Sequence, residues 1–197
     1  MKQHRNRPRA AVISLAAADQ SGGGDVLTVV ERYWAGLKDH TTNRGDNLDP
    51  GGFVRALSDS FIAEPMASQD LRLRVAGQNI EALAGVALRG LPLSVLFQPE
   101  ARTELGGMVA RVRAGMPLRI ALSAPRGAFR TELCAAMVLL PLAGDEGPAS
   151  RVLGAIAFCE PPGRRFCRFR IVKPAETRRP DGRLALRIIE GGRSARV

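Results

Sequence analysis

The stretch AFRTELCAAMVLLPL, residues 128–142, begins as one kind of strand and ends as another. Phe129, Thr131 and Leu133 alternate with Arg130 and Glu132, the period of a strand with one face in water. From Cys134 to Leu142 the residues are apolar without a break. A strand apolar on both faces needs a cover on both. RVLGAIAFCE, residues 151–160, has the same character. These two strands therefore form the middle of a sheet, and the rest of the chain must supply two layers around it.

The neighbouring segments supply the remaining strands. PLRIALSA (117–124) precedes the central pair through PRG, and AGDEGPAS (143–150) joins the pair itself, so the three form a meander. Upstream, SFIAEPM and LRLRVAG flank the turn from Ala67 to Asp70 and read as an antiparallel hairpin. At Gly77 the alternation stops. A glycine there ends the second strand and lets the chain turn sharply, tolerating a positive φ where the turn demands one. Short helices and loops then fill residues 78–97. A longer helix starts at Pro99, a favourable first position, and runs to about Ala114 before Gly115.

The second cover is the segment from Val26 to Asp39. Val26, Val29, Val30, Tyr33, Trp34 and Leu37 fall at i, i+3, i+4, i+7, i+8 and i+11, one continuous apolar stripe. Asp25 is positioned to cap this helix. Two compatible readings follow for Val26, Val30, Tyr33, Trp34 and Leu37: a partner-binding or dimerising surface, or the cover of the second sheet face. Docking on the chain's own sheet is the simpler of the two. The fold class is α+β: a five-stranded antiparallel sheet with helices on one face and an N-terminal amphipathic helix on the other.

Among 197 residues, 45% are hydrophobic, enough for one globular core with tails. The net charge of +10 is concentrated at the ends. Residues 1–10 carry +4, residues 164–197 carry +8, and the body between them carries −2. Residues 1–25 are expected to be a flexible leader ending in SGGGD, residues 26–172 the folded domain, and residues 173–197 a basic extension. The leader has a basic start and a short apolar run, the outline of a signal peptide. That run is weak, and Cys134, Cys159 and Cys167 are an odd set without CxxC spacing, so a cytoplasmic protein is expected. No run reaches the roughly 18–20 apolar residues of a membrane span.

Motifs of catalysis are not found. The two histidines, His4 and His40, lie in the leader and just after the first helix, which gives no support to a zinc site, a triad or a haem ligand. None of the three lysines stands in a GK[ST] context, which excludes a Walker loop. No GxSxG is present, and Glu81, Glu100, Glu104 and Glu132 are scattered like solvated surface charges. The expectation is a protein without enzymatic activity, cofactor or metal. One positive motif stands in the tail. RRFCRFRIVK interleaves Arg164, Arg165, Arg168, Arg170 and Lys173 with Phe166 and Phe169, a pattern able to neutralise phosphates while rings stack on bases. The simpler reading is a strand end followed by a solvated basic tail lying largely outside the core.

From Val30 to Glu160 the chain resembles the single-domain PAS-like proteins of alphaproteobacteria, a divergent branch of the PAS superfamily. The resemblance is carried by RYWAGL at Tyr33–Trp34, NRGDNLDP ending in Asp49–Pro50, and LRLRVAG closing in Gly77. LAGVALRG with Gly85 and Gly90, LLPLAG at Leu139–Gly144, and VLGAIAF with Gly154 complete it. It implies a sheet in the order 2-1-5-4-3 with helices cupping one face. It also implies a sensory or regulatory role in bacterial signalling, through a signalling-protein partner, a homodimer or an unidentified small ligand. The chain departs from photosensory and haem-binding PAS domains: the helical stretch has neither the reactive cysteine motif nor a histidine. It also carries no kinase, cyclase or DNA-binding segment, so output through a partner is expected. The alternative is a nucleic-acid-binding protein that uses its basic termini.

Overall fold

A computed structural model describes residues 23–39, 50–125, 132–144, 147–160 and 166–172. Its elements are helix α1 (Gly23–Asp39), a 3-10 helix (Pro50–Asp59), strands β1 (Ser60–Pro65) and β2 (Leu71–Ala76), and helix α2 (Gln78–Ala84). Two short 3-10 turns, Leu93–Leu96 and Pro99–Ala101, lead into helix α3 (Arg102–Arg113). Strands β3 (Leu118–Ala124), β4 (Leu133–Gly144), β5 (Gly147–Phe158) and β6 (Arg170–Ile171) follow. None of the helices described is long and apolar enough to cross a membrane.

The sheet is antiparallel with the order β2-β1-β5-β4-β3-β6. The expected five-strand order is therefore present, with one strand more. β4 and β5 pair along their whole length, from Ala135 opposite Phe158 to Gly144 opposite Gly147. Residues expected to form the loop AGDEGPAS thus belong largely to the two strands. A register shift between Leu142 and Gly144 and a positive φ of 58° at Ala149 absorb the extra chain.

Two apolar layers follow from the two-sided character of β4 and β5. On the inner face, Phe61, Leu73, Met137, Leu139, Val152 and Ile156 pack against Ile80 and Leu83 of α2, and against Leu105, Val109 and Val112 of α3. On the outer face, Ala136, Val138, Leu140, Leu153 and Ala155 pack against Leu27, Val30 and Trp34 of α1. Three alanines in this outer surface (Ala136, Ala155 and Ala157) keep it shallow enough for an aromatic helix face to settle on it. α1 begins at Gly23, so Asp25 lies inside the first turn rather than at the cap position expected for it.

The strand-to-helix corner departs from expectation in an informative way. Gly77 has φ −72° and ψ 156°, ordinary extended backbone, so no positive φ is at issue. Glycine is required by crowding: a Cβ would stand 2.3 Å from the Leu57 carbonyl oxygen and 2.4 Å from that of Ser58. The Gly77 N–H donates to the Ser60 carbonyl at 2.8 Å, and its own carbonyl accepts from Ile80 and Glu81. One residue thus ties the 3-10 helix, β1 and α2 together.

Candidate functional site: the cup and the outer helix

The sheet carries two apolar layers, the cup under the helices and the outer face under α1. The cup is filled by the chain's own side chains. Phe61, Phe97, Phe169, Leu73, Ile80 and Leu83 are all buried at 1% exposure or less. The ring of Phe169 lies 6.2 Å from that of Phe97, tilted, and 6.5 Å from that of Phe158, nearly parallel, within the usual range for aromatic pairs.

The segment 166–172 closes the cup at the edge of the sheet. The Phe169 N–H donates to the Leu96 carbonyl at 2.8 Å, and the Gln98 N–H donates to the Phe169 carbonyl at 2.9 Å. Arg170 and Ile171 then pair with Ser123 and Leu122 of β3, and the Val172 N–H donates to the Ala121 carbonyl at 2.8 Å. This segment bridges helical layer and sheet through backbone bonds on both sides.

This corrects the expected placement of the tail. Cys167 and Phe169 belong to the inner core, so the stretch from 166 to 172 is not a solvated extension and Phe169 is no free stacking ring. Phe166 is exposed, with the Arg168 guanidinium 5.2 Å above its ring. Arg170 forms an ion pair with Glu132. Arg164, Arg165 and Lys173, the remaining members of the motif, lie outside the described residues, as do His4 and His40. A signal for the buried strand was present: Cys167, Phe169 and Ile171 alternate with Arg168 and Arg170, the pattern of a half-buried edge strand.

The helix residues singled out from the sequence lie together on the inward side of α1. Val30 and Trp34 are buried; Val26, Tyr33 and Leu37 are partly buried against the same outer cluster. The stripe is thus used within the chain, joined by Leu27, which the stripe reading passed over. The Trp34 indole N–H donates to the Pro141 carbonyl at 2.7 Å, and Glu31 meets Arg119 of β3 at 3.4 Å.

Beside α1, the outer face of β1 and β2 is polar. Glu64 holds Arg74 at 2.5 Å and Arg151 at 3.8 Å. Arg72, Arg74 and Glu64 line an open groove of about 380 Å³ with Pro65, Met66, Ala67 and Ser68 at the β1–β2 turn. Val54 and Leu57 of the 3-10 helix and Val75 near the end of β2 are exposed apolar residues. Two groups have displaced acidities. Burial raises the Asp59 carboxyl above its ordinary value, against the lowering effect of the Asn79 amide at 2.8 Å. Burial, and then the neighbouring Cys159 thiol and Glu160, push the Cys134 thiol up to about 12. Among the described residues no three His, Cys, Asp or Glu side chains are grouped to hold a metal ion.

The antiparallel order, with helices cupping one face, defines the PAS class of sensory fold. The PAS domain family profile PAS_5 matches residues 26–157, and the chain belongs to that family. No curated protein matches it. Among solved structures it is similar to a light-oxygen-voltage domain characterised with a flavin analogue, at 19% identity and a TM-score of 0.41, over 55% of this chain and 82% of that one. It is similar to the light-oxygen-voltage protein of Rhodobacter sphaeroides at 15% identity and 0.40, over 53% and 64%. A fungal light-oxygen-voltage photoreceptor matches at 18% and 0.41, over 70% and 94%.

Proposed function

We propose that this PAS domain is a non-catalytic sensory or regulatory module of bacterial signalling that works by contact with a signalling protein rather than through a ligand in the cup. The observation that carries the proposal is the filled cup: Phe61, Phe97 and Phe169 occupy the interior, and the segment through Phe169 is bonded across its opening. A ligand would have to displace buried aromatic side chains, each a substantial share of core energy. Signals are then passed by the surfaces around α1 and the β1–β2 hairpin, where apolar residues are exposed.

The expectation of a colourless protein belongs to the same reading. The helical stretch 78–113 contains neither cysteine nor histidine, so it offers no adduct-forming thiol and no imidazole. Freshly purified protein is to be examined by native mass spectrometry and absorption spectroscopy together. The expected outcome is a bare polypeptide, monomer or homodimer, without visible absorbance. A stoichiometric small molecule or chromophore carried through purification refutes contact as the primary mode. For the nucleic-acid alternative, the burial of Phe169 removes one of its two rings, and Arg170 is already paired with Glu132.

A further inference from the structure

Four residues lie in one row across the outer face of the sheet. Arg170 of β6 is in register with Ser123 of β3, and Ser123 is in register with Cys134 of β4. The Cys159 N–H in turn donates to the Cys134 carbonyl at 3.0 Å, which continues the β4–β5 ladder one step past the pair Ala135–Phe158. Alternation along β4 puts Cys134 on the same face as Ala136 and Val138, and Cys159 packs against that same outer cluster. Neither thiol is fully buried. Directly opposed residues joined by such a bond stand about 5.5 Å apart at Cα, inside the range a disulfide spans. Cys167 belongs to the inner core, on the other side of the sheet.

We propose that Cys134 and Cys159 form a redox-reactive dithiol that takes a low-molecular-weight disulfide as its oxidant and closes to an intramolecular cross-strand disulfide. Cys159 acts first. Its thiolate attacks one sulfur of RS–SR, forming the mixed disulfide Cys159–S–SR and releasing RS⁻. Cys134 then loses its proton and attacks the Cys159 sulfur, forming the protein disulfide and expelling the second RS⁻. The two thiol protons end on the two released RSH molecules; two protein thiols are oxidised and one external disulfide is reduced.

The order follows from the surroundings. Burial, the adjacent thiol and Glu160 keep Cys134 protonated, with its pKa pushed up to about 12, so it is a poor initial nucleophile. Once Cys159 carries the leaving group, attack by Cys134 is intramolecular between opposed strands, and proximity compensates for its weak acidity. The bond staples β4 to β5 beside the cluster on which α1 rests.

The full chain is to be equilibrated in a series of oxidised-to-reduced glutathione ratios and then acid-quenched. Free thiols, intact mass and a non-reducing peptide map are to be read out. The expected result is loss of two of the three thiols as a Cys134–Cys159 link, with Cys167 still a thiol and the thermal midpoint raised. In Cys134→Ala the reaction should stop at a glutathione adduct on Cys159, and in Cys159→Ala residue 134 should stay unmodified. The proposal is overturned if the folded wild-type chain keeps both thiols at ratios that oxidise the denatured chain. Separate glutathione adducts without a link, or a link through Cys167, overturn it equally. These wild-type readouts stand even where a variant fails to fold.

Discussion

The indole N–H of Trp34 donates to the carbonyl of Pro141 at 2.7 Å, joining the N-terminal helix to a central strand. The bond is available because β3 pairs with β4 no further than Leu139. Beyond that point one side of β4 has no strand partner, so a proline breaks no ladder bond and its carbonyl can accept from the helix. Trp34 is also packed into the outer cluster with Leu27 and Val30. Trp34→Ala should therefore cost about 3–5 kcal/mol, whereas Trp34→Phe, which keeps a ring and loses the bond, should cost about 0.5–1.5 kcal/mol. Chemical denaturation of both variants measures this. Equal and negligible losses would mean that α1 is not docked on this face.

Gly154 and Phe61 are partners across β1 and β5, and a Cβ on Gly154 would stand 2.1 Å from the Phe61 ring. The ring lies over the glycine and is itself fully buried, so it has little room to retreat. Gly154→Ala should destabilise by about 1–3 kcal/mol through overpacking. Combined with Phe61→Leu, the two losses should be less than additive, since the smaller side chain relieves the clash. Strict additivity in the double-mutant cycle would show that the two do not share space.

The large features were legible because they rest on periodicity. The unbroken apolar character of Cys134 to Leu142 required two covers, and the stripe from Val26 to Leu37 matched one of them. Gly77 was legible as a corner but not in its cause, because the crowding comes from Leu57 and Ser58, whose carbonyl positions no local pattern reveals. β6 was hidden by charge. Arg168 and Arg170 gave residues 164–173 the appearance of a tail, although Cys167, Phe169 and Ile171 carried the strand period beneath it. The filled cup could not be read at all, since it depends on three phenylalanines distant in sequence converging on one interior.

Asp59 offers a test by pH. Its carboxyl is raised by burial, so between the ordinary carboxylate value, about 3.9, and the raised folded value the native chain holds a proton that the unfolded chain releases. Stability from this group is then full below the ordinary value and falls as pH rises through the folded one. Asp59→Asn removes the titration and leaves a side-chain carbonyl to accept from Asn79. Relative to the native chain, the variant should gain stability with rising pH across this acidic window and keep the gain at neutrality. Urea midpoints over a pH series would reveal it, and a flat difference between the two proteins contradicts the burial of Asp59.

Truncation at Val172 tests the expected C-terminal boundary of the domain. Phe169 is fully buried and its backbone is bonded to Leu96 and Gln98, while residues 173–197 carry +4 of the net charge of +10 with weak periodicity. Ending the chain at Val172 should leave thermal unfolding unchanged, whereas Phe169→Ala should cost about 3–5 kcal/mol. The same truncation tests the nucleic-acid alternative. Net positive charge alone gives weak, sequence-independent binding at low salt that fades steeply as salt is raised, and removing 173–197, which lowers the net charge from +10 to +6, should weaken it without abolishing it. Tight binding by the intact chain that is sequence-selective and survives physiological salt, yet disappears on truncation, would make the basic extension the functional site and displace the contact-based reading of the domain.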